Sequence, residues 1–165
     1  SILNESEELS GFIANLTRQQ RIDFELLFVD GGSNDGSFEW LQQERLEVPV
    51  AVLQTERGRA RQMNYGASRA KAEWLLFLHV DSHFADRLAL RKALDLLQQV
   101  GNCDLAGHFP LTFRRSDDQH SCGYYFYEWK ARLGRPETIH GDQGFLLQRN
   151  LFDRLGGFDE TMRVM

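Results

Sequence analysis

The sequence predicts an α/β domain, a three-layer sandwich whose helices cover both faces of a mostly parallel central sheet. Three observations predict it. Short apolar runs alternate with stretches of helical period through the first half of the chain, the pattern of βαβ units with right-handed crossovers. Runs such as Leu26-Leu27-Phe28-Val29 and Trp74-Leu75-Leu76-Phe77-Leu78 are continuously apolar, as strands covered on both faces require. Polar or glycine-rich residues follow these runs, and in a parallel sheet the loops after the strands' carboxyl ends converge on one edge.

Taken in order, Asn4 followed by Glu7 resembles a capping box, and Leu9, Phe12, Ile13 and Leu16 repeat at helical spacing, which predicts a helix over about residues 5–18. The residues before Asn4 then end a strand. A second strand covers 25–30, and Gly31 to Gly36 form a tight loop in which Ser33 or Asn34 can cap a helix carrying Phe38 and Leu41. Val50 to Leu53 is the next strand, and Gly58 opens a helix with a small-residue face of Ala60, Met63, Ala67 and Ala70. A strand over 73–79 and a helix with Leu90, Ala93, Leu94 and Leu97 come next, then an extended stretch from Asp104 to Phe113. An aromatic helix from about Gln119 to Leu133, a strand at Phe145-Leu146-Leu147 and a short helix from Asn150 to Gly156-Gly157 complete the chain.

With 165 residues and 42% hydrophobic content, the chain suits one compact domain. It opens at Ser1-Ile2-Leu3 and stops at Met165 directly after a turn, so it reads as a single domain over 1–165 truncated at both ends. It divides at about residue 82, into parts over about 1–82 and about 83–165. A net charge of −5 argues against nucleic acid as a partner. Cys103 and Cys122 fit no metal-ligand spacing and no disulfide framework. A reducing, cytoplasmic compartment fits best. The apolar runs are far shorter than the ~20 residues of a membrane-spanning helix, and no signal peptide is visible.

The chemistry concentrates at the predicted strand ends. His79-Val80-Asp81 places an imidazole and a carboxylate at the mouth of a buried strand, and side chains two apart on a strand point the same way. Gly31, Gly32 and Gly36 let the backbone approach a ligand, while Asp30 and Asp35 can accept hydrogen bonds from a base or a ribose. Arg57, Arg59 and Arg61 crowd the start of a helix, where guanidinium groups and free N–H groups together favour a pyrophosphate. Arg59 and Arg61 cannot both share a helix face with Asn64, so only some of these residues face one ligand. The competing view, a solvated helix start paired with Glu56 and Glu73, explains less. Together the segments describe a nucleoside-diphosphate site with a divalent cation, Mg²⁺ or Mn²⁺, since such ions take one or two carboxylates plus phosphate oxygens.

Leu3-Asn4-Glu5, Val29-Asp30-Gly31-Gly32-Ser33-Asn34-Asp35-Gly36, Gly58-Arg59-Ala60-Arg61-Gln62-Met63-Asn64, Leu78-His79-Val80-Asp81, Gly141-Asp142-Gln143-Gly144 and Gly156-Gly157-Phe158, in this order, resemble family-2 glycosyltransferases of the GT-A fold. The likeness is greatest to a bacterial subgroup with the Gly-Arg-Ala-Arg-Gln-Met-Asn segment and a His-x-Asp metal motif. The resemblance implies a Rossmann-type GT-A sandwich that transfers a sugar, with inversion and with a divalent cation, from a nucleoside-diphosphate sugar to an acceptor. The acceptor itself, a saccharide, a lipid or a small molecule, is left open. It further implies that Asn4, Glu5, Asp30, Gly32, Ser33 and Asp35 bind the donor's nucleoside side, and that Arg59, Arg61 and Asn64 bind the diphosphate side. Asp81 would be the metal ligand, and His79, which replaces the motif's first Asp, would bind the metal, a phosphate or a ribose hydroxyl; the nucleotide-binding part would lie over about 1–82 and the acceptor side over about 83–165. The expected base lies in an acidic pair shortly after the Gly-Gly-Phe turn, beyond Met165. Asp142 is the best visible carboxylate on the acceptor side and the catalytic candidate within the chain, though an acceptor-binding group suits it better than a base, and a glycine-flanked turn is the plain alternative.

Tyr124, Tyr125, Phe126, Tyr127 and Trp129 stand beside Lys130, Arg132 and Arg135, a composition that suits peripheral contact with a membrane surface or a lipid-acceptor path. The plainer expectation is a helix with core on one side and solvent on the other. His83, His108, His120 and His140 show no zinc spacing. Two alternatives stay in view: a nucleotide-binding module without catalysis, and a Rossmann-type methyltransferase, whose acidic glycine-rich first motif the 29–36 segment superficially resembles.

Overall fold

The computed structural model describes residues 1–102, 104–113, 122–133, 135, 138 and 143–162. Along these run α1 (Ser6–Thr17), β1 (Leu26–Asp30), α2 (Ser37–Gln43), β2 (Val50–Gln54), α3 (Arg59–Arg69) and β3 (Trp74–Phe77), then α4 (Ala89–Val100), β4 (Ala106–His108), α5 (Cys122–Ala131), β5 (Phe145–Gln148) and α6 (Arg149–Leu155). The α/β class and the order of elements follow the sequence expectation.

The strands form two groups. β1 pairs in parallel with β2, from Leu26 opposite Val50 to Asp30 opposite Gln54. On the other edge of β1, Ile2 makes a parallel bridge to Asp30, its N–H donating to the Val29 carbonyl at 3.0 Å. β5 lies between β3 and β4, antiparallel to both, so that Phe145 stands opposite Phe77 on one side and His108 on the other. In place of one mostly parallel sheet, the described residues form a two-stranded parallel sheet, β1-β2, and a three-stranded antiparallel one in the order β3-β5-β4. Four apolar residues in a row, as in β5, carry no periodicity from which a pairing direction could be read.

Helices cover both faces because successive strand residues point oppositely. Phe28 packs into a core with Leu9, Phe12 and Leu16 of α1 and Leu90 of α4. Its neighbour Val29 faces α3, where a Cβ on Gly66 would sit 3.1 Å from Val29 Cγ2. In β3 the same alternation sends Leu75 to a second core with Ala67, Leu147, Leu151 and Phe152, and Leu76 to the first. Arg149 ties α6 to α3, donating to the carbonyls of Ala67, Ala70 and Ala72 and so satisfying acceptors at and beyond the helix end.

Four local expectations are corrected. The capping box does not form: α1 has no side-chain cap of its own, and Asn4 Oδ1 instead accepts the Asn34 N–H at 2.9 Å. Neither Ser33 nor Asn34 caps α2, whose N-cap is Gly36, because both are recruited across the loop to Asn4. The strand expected over 73–79 ends at Phe77, and a turn closed by Ser82 N–H on the His79 carbonyl at 3.1 Å follows. Last, the aromatic helix is not core on one side: Tyr125, Phe126 and Trp129 are each more than half exposed, and only Ala131 of α5 is buried. Five aromatic rings within six residues run right round a helix at 100° per residue, so no single face can bury them.

Candidate functional site

The loops after β1 and β3 and the starts of α1 and α3 meet at one edge of the molecule. The loop after β1 is organised by Asp30, which is fully buried. Its carboxylate accepts the Gly32 N–H at 2.9 Å, the Ser33 N–H at 3.1 Å, the Ser33 hydroxyl at 2.5 Å and the Gln54 amide at 3.0 Å. Burial works to raise this carboxyl, but the hydrogen bonds from Ser33, Gln54 and Gly32 prevail and hold it below its ordinary value.

The same loop then grips the start of α1. Ser33 Oγ accepts the Asn4 N–H at 3.0 Å, Ser37 Oγ accepts the Glu5 N–H at 3.1 Å, and Asp35 accepts the Ser6 N–H at 2.9 Å. Orphan donors at the N-terminus of α1 are thus capped from some 30 residues away. Hydrogen bonds, first among them that from the Ser37 hydroxyl, keep the Asp35 carboxyl far below the usual carboxylate range. Glu5 goes the other way: burial, then the charges of Asp81, Glu8 and Asp35, push its carboxyl up.

Arg59, the first residue of α3, reaches the turn after β3 and donates from Nη2 to His79 Nδ1 at 3.0 Å. A guanidinium can only donate, so Nδ1 is the accepting nitrogen and the ring proton sits on Nε2. In this arrangement the Nδ1 lone pair is engaged by Arg59. Val80 is buried between His79 and the exposed Asp81. The acidic group of Glu5, Asp35 and Asp81 therefore borders the Arg59 guanidinium, which is bonded to a neutral His79.

The arginine-rich segment divides as its helical spacing requires. Arg61 pairs with Glu56 and Glu160, and Asn64 bonds the main chain of Phe158, while Arg59 alone turns to His79. Two site-building residues were not singled out from sequence. Gln62 is 3% exposed and donates from Nε2 to the carbonyls of Ile2 and Val29, both at 2.8 Å, joining two strand ends. Gln54 holds Asp30, and the register of a parallel β1–β2 pair, Asp30 opposite Gln54, was the signal that could have revealed it. Asp142, His120 and His140 lie outside the described residues.

A divalent cation fits the donor set. Asp81 supplies an exposed carboxylate, and Glu5, raised first by burial, also feels the negative charges of Asp81, Glu8 and Asp35. Among the described residues no group of three or more His, Cys, Asp or Glu side chains is placed to hold a metal. An ion held there would take its other oxygens from a diphosphate and water, as Mg²⁺ and Mn²⁺ do. An open polar hollow lies beside Glu5, Glu8, Asn34 and Asp35. A second hollow, about 310 Å³ and lined by apolar residues such as Phe28, Met63 and Leu76, lies between β1 and β3 and belongs to the core. Among the described residues no helix is long and apolar enough to cross a membrane.

Residues 1–158 match the family described as Glycosyl transferase family 2. An uncharacterised glycosyltransferase of Haemophilus influenzae is 30% identical over 107 residues, 64% of this chain and 35% of that protein. A PGL/p-HBAD biosynthesis glycosyltransferase of Mycobacterium bovis is 36% identical over 169 residues, 99% of this chain. The chain spans 62% of that relative's length. A mannosyltransferase from Pyrobaculum calidifontis, solved with GDP-Man and Mn²⁺, superimposes with a TM-score of 0.71 at 21% identity, over 98% of this chain and 46% of its own. S. aureus TarS 1–349 gives 0.74 at 15% identity, over 99% of this chain and 50% of its own.

Proposed function

The chain belongs to glycosyl transferase family 2, and from that premise we propose that it transfers a sugar from a nucleoside-diphosphate sugar to an acceptor hydroxyl, with inversion and with a divalent cation. The carrying observation is the boundary between acidic Glu5, Asp35 and Asp81 and the Arg59 guanidinium, held by His79. A nucleoside diphosphate with its cation has the complementary charge pattern. The methyltransferase alternative falls with the family assignment, and the module without catalysis gives way to an enzyme.

In this reading the nucleoside lies along the loop that Asp30, Gly32, Ser33 and Asp35 shape, with Asn4 and Glu5 beside it. The diphosphate lies against the N-terminus of α3, where main-chain N–H groups, the Arg59 guanidinium and the His79 Nε2–H can all donate to its oxygens. Arg61, partly exposed, completes that surface. Asp81 would hold the cation, which neutralises the charge that develops on the departing diphosphate. The acceptor oxygen attacks the anomeric carbon as the bond from that carbon to the diphosphate oxygen breaks, and the hydroxyl proton passes to a carboxylate on the acceptor side. We place that base after the Gly156-Gly157-Phe158 turn. The exposed rings of α5, with Lys130 and Arg132 beside them, suit an amphipathic acceptor at a membrane surface. Cys122, free and exposed, suits a reducing, cytoplasmic setting.

The test is a thermal-shift screen of UDP, GDP and their sugars with and without Mn²⁺, with S-adenosylmethionine as the control. A nucleoside diphosphate should raise the melting temperature, more so with Mn²⁺, because a ligand specific to the folded state stabilises it. Asp81→Ala should abolish the Mn²⁺-dependent part, and His79→Ala should weaken binding less. Wild-type binding in both variants would remove the site from this turn.

A further inference from the structure

Asn64 was expected on the donor, yet its carboxamide is spent elsewhere. Oδ1 accepts the Phe158 N–H at 2.8 Å, and Nδ2 donates to the Phe158 carbonyl at 2.9 Å and to Glu160 Oε1 at 3.0 Å. An amide side chain that both accepts from and donates to the main chain of one residue imitates a strand pairing and fixes that residue in position and orientation. The approach is close enough to dictate the preceding residue. Gly157 has φ +77°, and a Cβ there would lie 2.7 Å from Asn64 Oδ1, so this position excludes any side chain on two counts.

Two further contacts hold the same turn. Arg61 Nε donates to Glu160 Oε2 at 3.2 Å, one turn before Asn64 on the same face of α3. The Phe158 ring stands edge-on to Phe77, centroids 4.9 Å apart, and near Phe152 at 5.4 Å. The turn at 157–160 is therefore bolted to α3, whose first residue is Arg59, and to the last residue of β3, which leads into His79 and Asp81. It touches both elements that carry the proposed diphosphate site.

We propose that Asn64 is a positioning residue: through the main chain of Phe158 it sets where the 157–160 turn lies relative to the diphosphate, and it does not itself contact the donor. This rests on the donor reading above. Gly157 is its obligatory partner, and Arg61 serves both sides.

The experiment compares Asn64→Ala and Gly157→Ala with wild type in the full-length protein. Three quantities are measured: affinity for GDP and UDP with Mn²⁺, turnover of the nucleotide sugar that stabilises the wild type most, and hydrogen exchange at the Phe158 amide. Both variants should keep nucleotide affinity within about threefold, lose turnover by tenfold or more, and exchange the Phe158 amide faster. A tenfold loss of affinity in Asn64→Ala, with Gly157→Ala unaffected, would put Asn64 on the donor and overturn the proposal. Unchanged turnover in both folded variants would overturn it as well. Failure of the donor reading looks different: the wild type then binds neither nucleotide, while exchange at Phe158 still reports on the bracket alone. The two variants reach the turn from opposite sides, so if one fails to fold the other supplies the answer.

Discussion

At the edge where the proposed donor lies, the first half of the chain holds its loops by hydrogen bonds between side chains and main chain. Ser33, Ser37 and Asp35 accept the peptide N–H groups of Asn4, Glu5 and Ser6 some 30 residues away, and Asp30 accepts that of Gly32 within its own loop. In the second half, the 157–160 turn adds a cluster of rings to its hydrogen bonds with Asn64 and Arg61, with Phe152 5.1 Å from Phe77 and 5.4 Å from Phe158, and α5 leaves its aromatic side chains in solvent. The difference teaches how each half can serve its ligand. A hydrogen-bonded loop is specific in direction and presents fixed dipoles, which suits a nucleotide. Ring packing is tolerant in direction and stabilises by area, which suits a scaffold whose surface can vary.

The largest expected effect tests the ring-packed side. Phe152→Ala should cost about 3–5 kcal/mol in urea unfolding, the usual range for emptying a buried aromatic site. It should leave affinity for GDP or UDP with Mn²⁺ within about twofold. Asp30→Ala should behave in reverse. It strands the Gly32, Ser33 and Gln54 donors, costing about 2–3 kcal/mol, and it should remove nucleotide binding because the loop loses its organiser. Equal losses of affinity in the two variants would erase the distinction between the halves.

Acid sharpens the comparison further. The folded Asp30 carboxyl sits below its ordinary value, so its contribution is present above the unfolded value of about 4 and fades as pH falls through the folded value. In that window the unfolded chain binds more protons than the folded one, so stability falls with pH. Asp30→Asn should therefore flatten the stability profile below about pH 4, measured by urea titration at several pH values. An unchanged acid limb would mean that the network does not depend on this charge.

The smallest effect belongs to α5. Trp129, 57% exposed, should tolerate Trp129→Ala within about 0.5 kcal/mol. Binding to vesicles containing anionic lipid should fall in the same variant. A loss of several kcal/mol would restore the expectation of core.

Much of the fold was legible because apolar runs and helical period are local signals. Leu9, Phe12, Ile13 and Leu16 are all buried on one face of α1, as their spacing predicted. The clustering of Asn4, Glu5, Asp30 and Asp35 followed from the rule that the ends of parallel strands share an edge, and the structure brings them together. What was not legible depends on distant partners. Nothing near Asn64 tells that its carboxamide meets Phe158, 94 residues on. Nor does the sequence around Asp30 reveal that its carboxylate turns inward. The direction of β5 is hidden for the same reason, since a short apolar strand is compatible with either. The apolar run carries the expected strand two residues past Phe77 to His79, where the turn closed by Ser82 begins.

The buried Gln62 amide, which spans the ends of β1 and the N-terminal segment, also presses on Gly31. A Cβ at residue 31 would lie 2.9 Å from Gln62 Oε1 and 3.0 Å from its Cδ and Nε2. These two positions are therefore locked into a single joint choice. A larger residue at 31 requires a shorter one at 62, and a shorter one at 62 leaves the carbonyls of Ile2 and Val29 without their donor. Each single step is a loss, so substitution at either position has no gradual path, and descendants of this sequence should change both or neither.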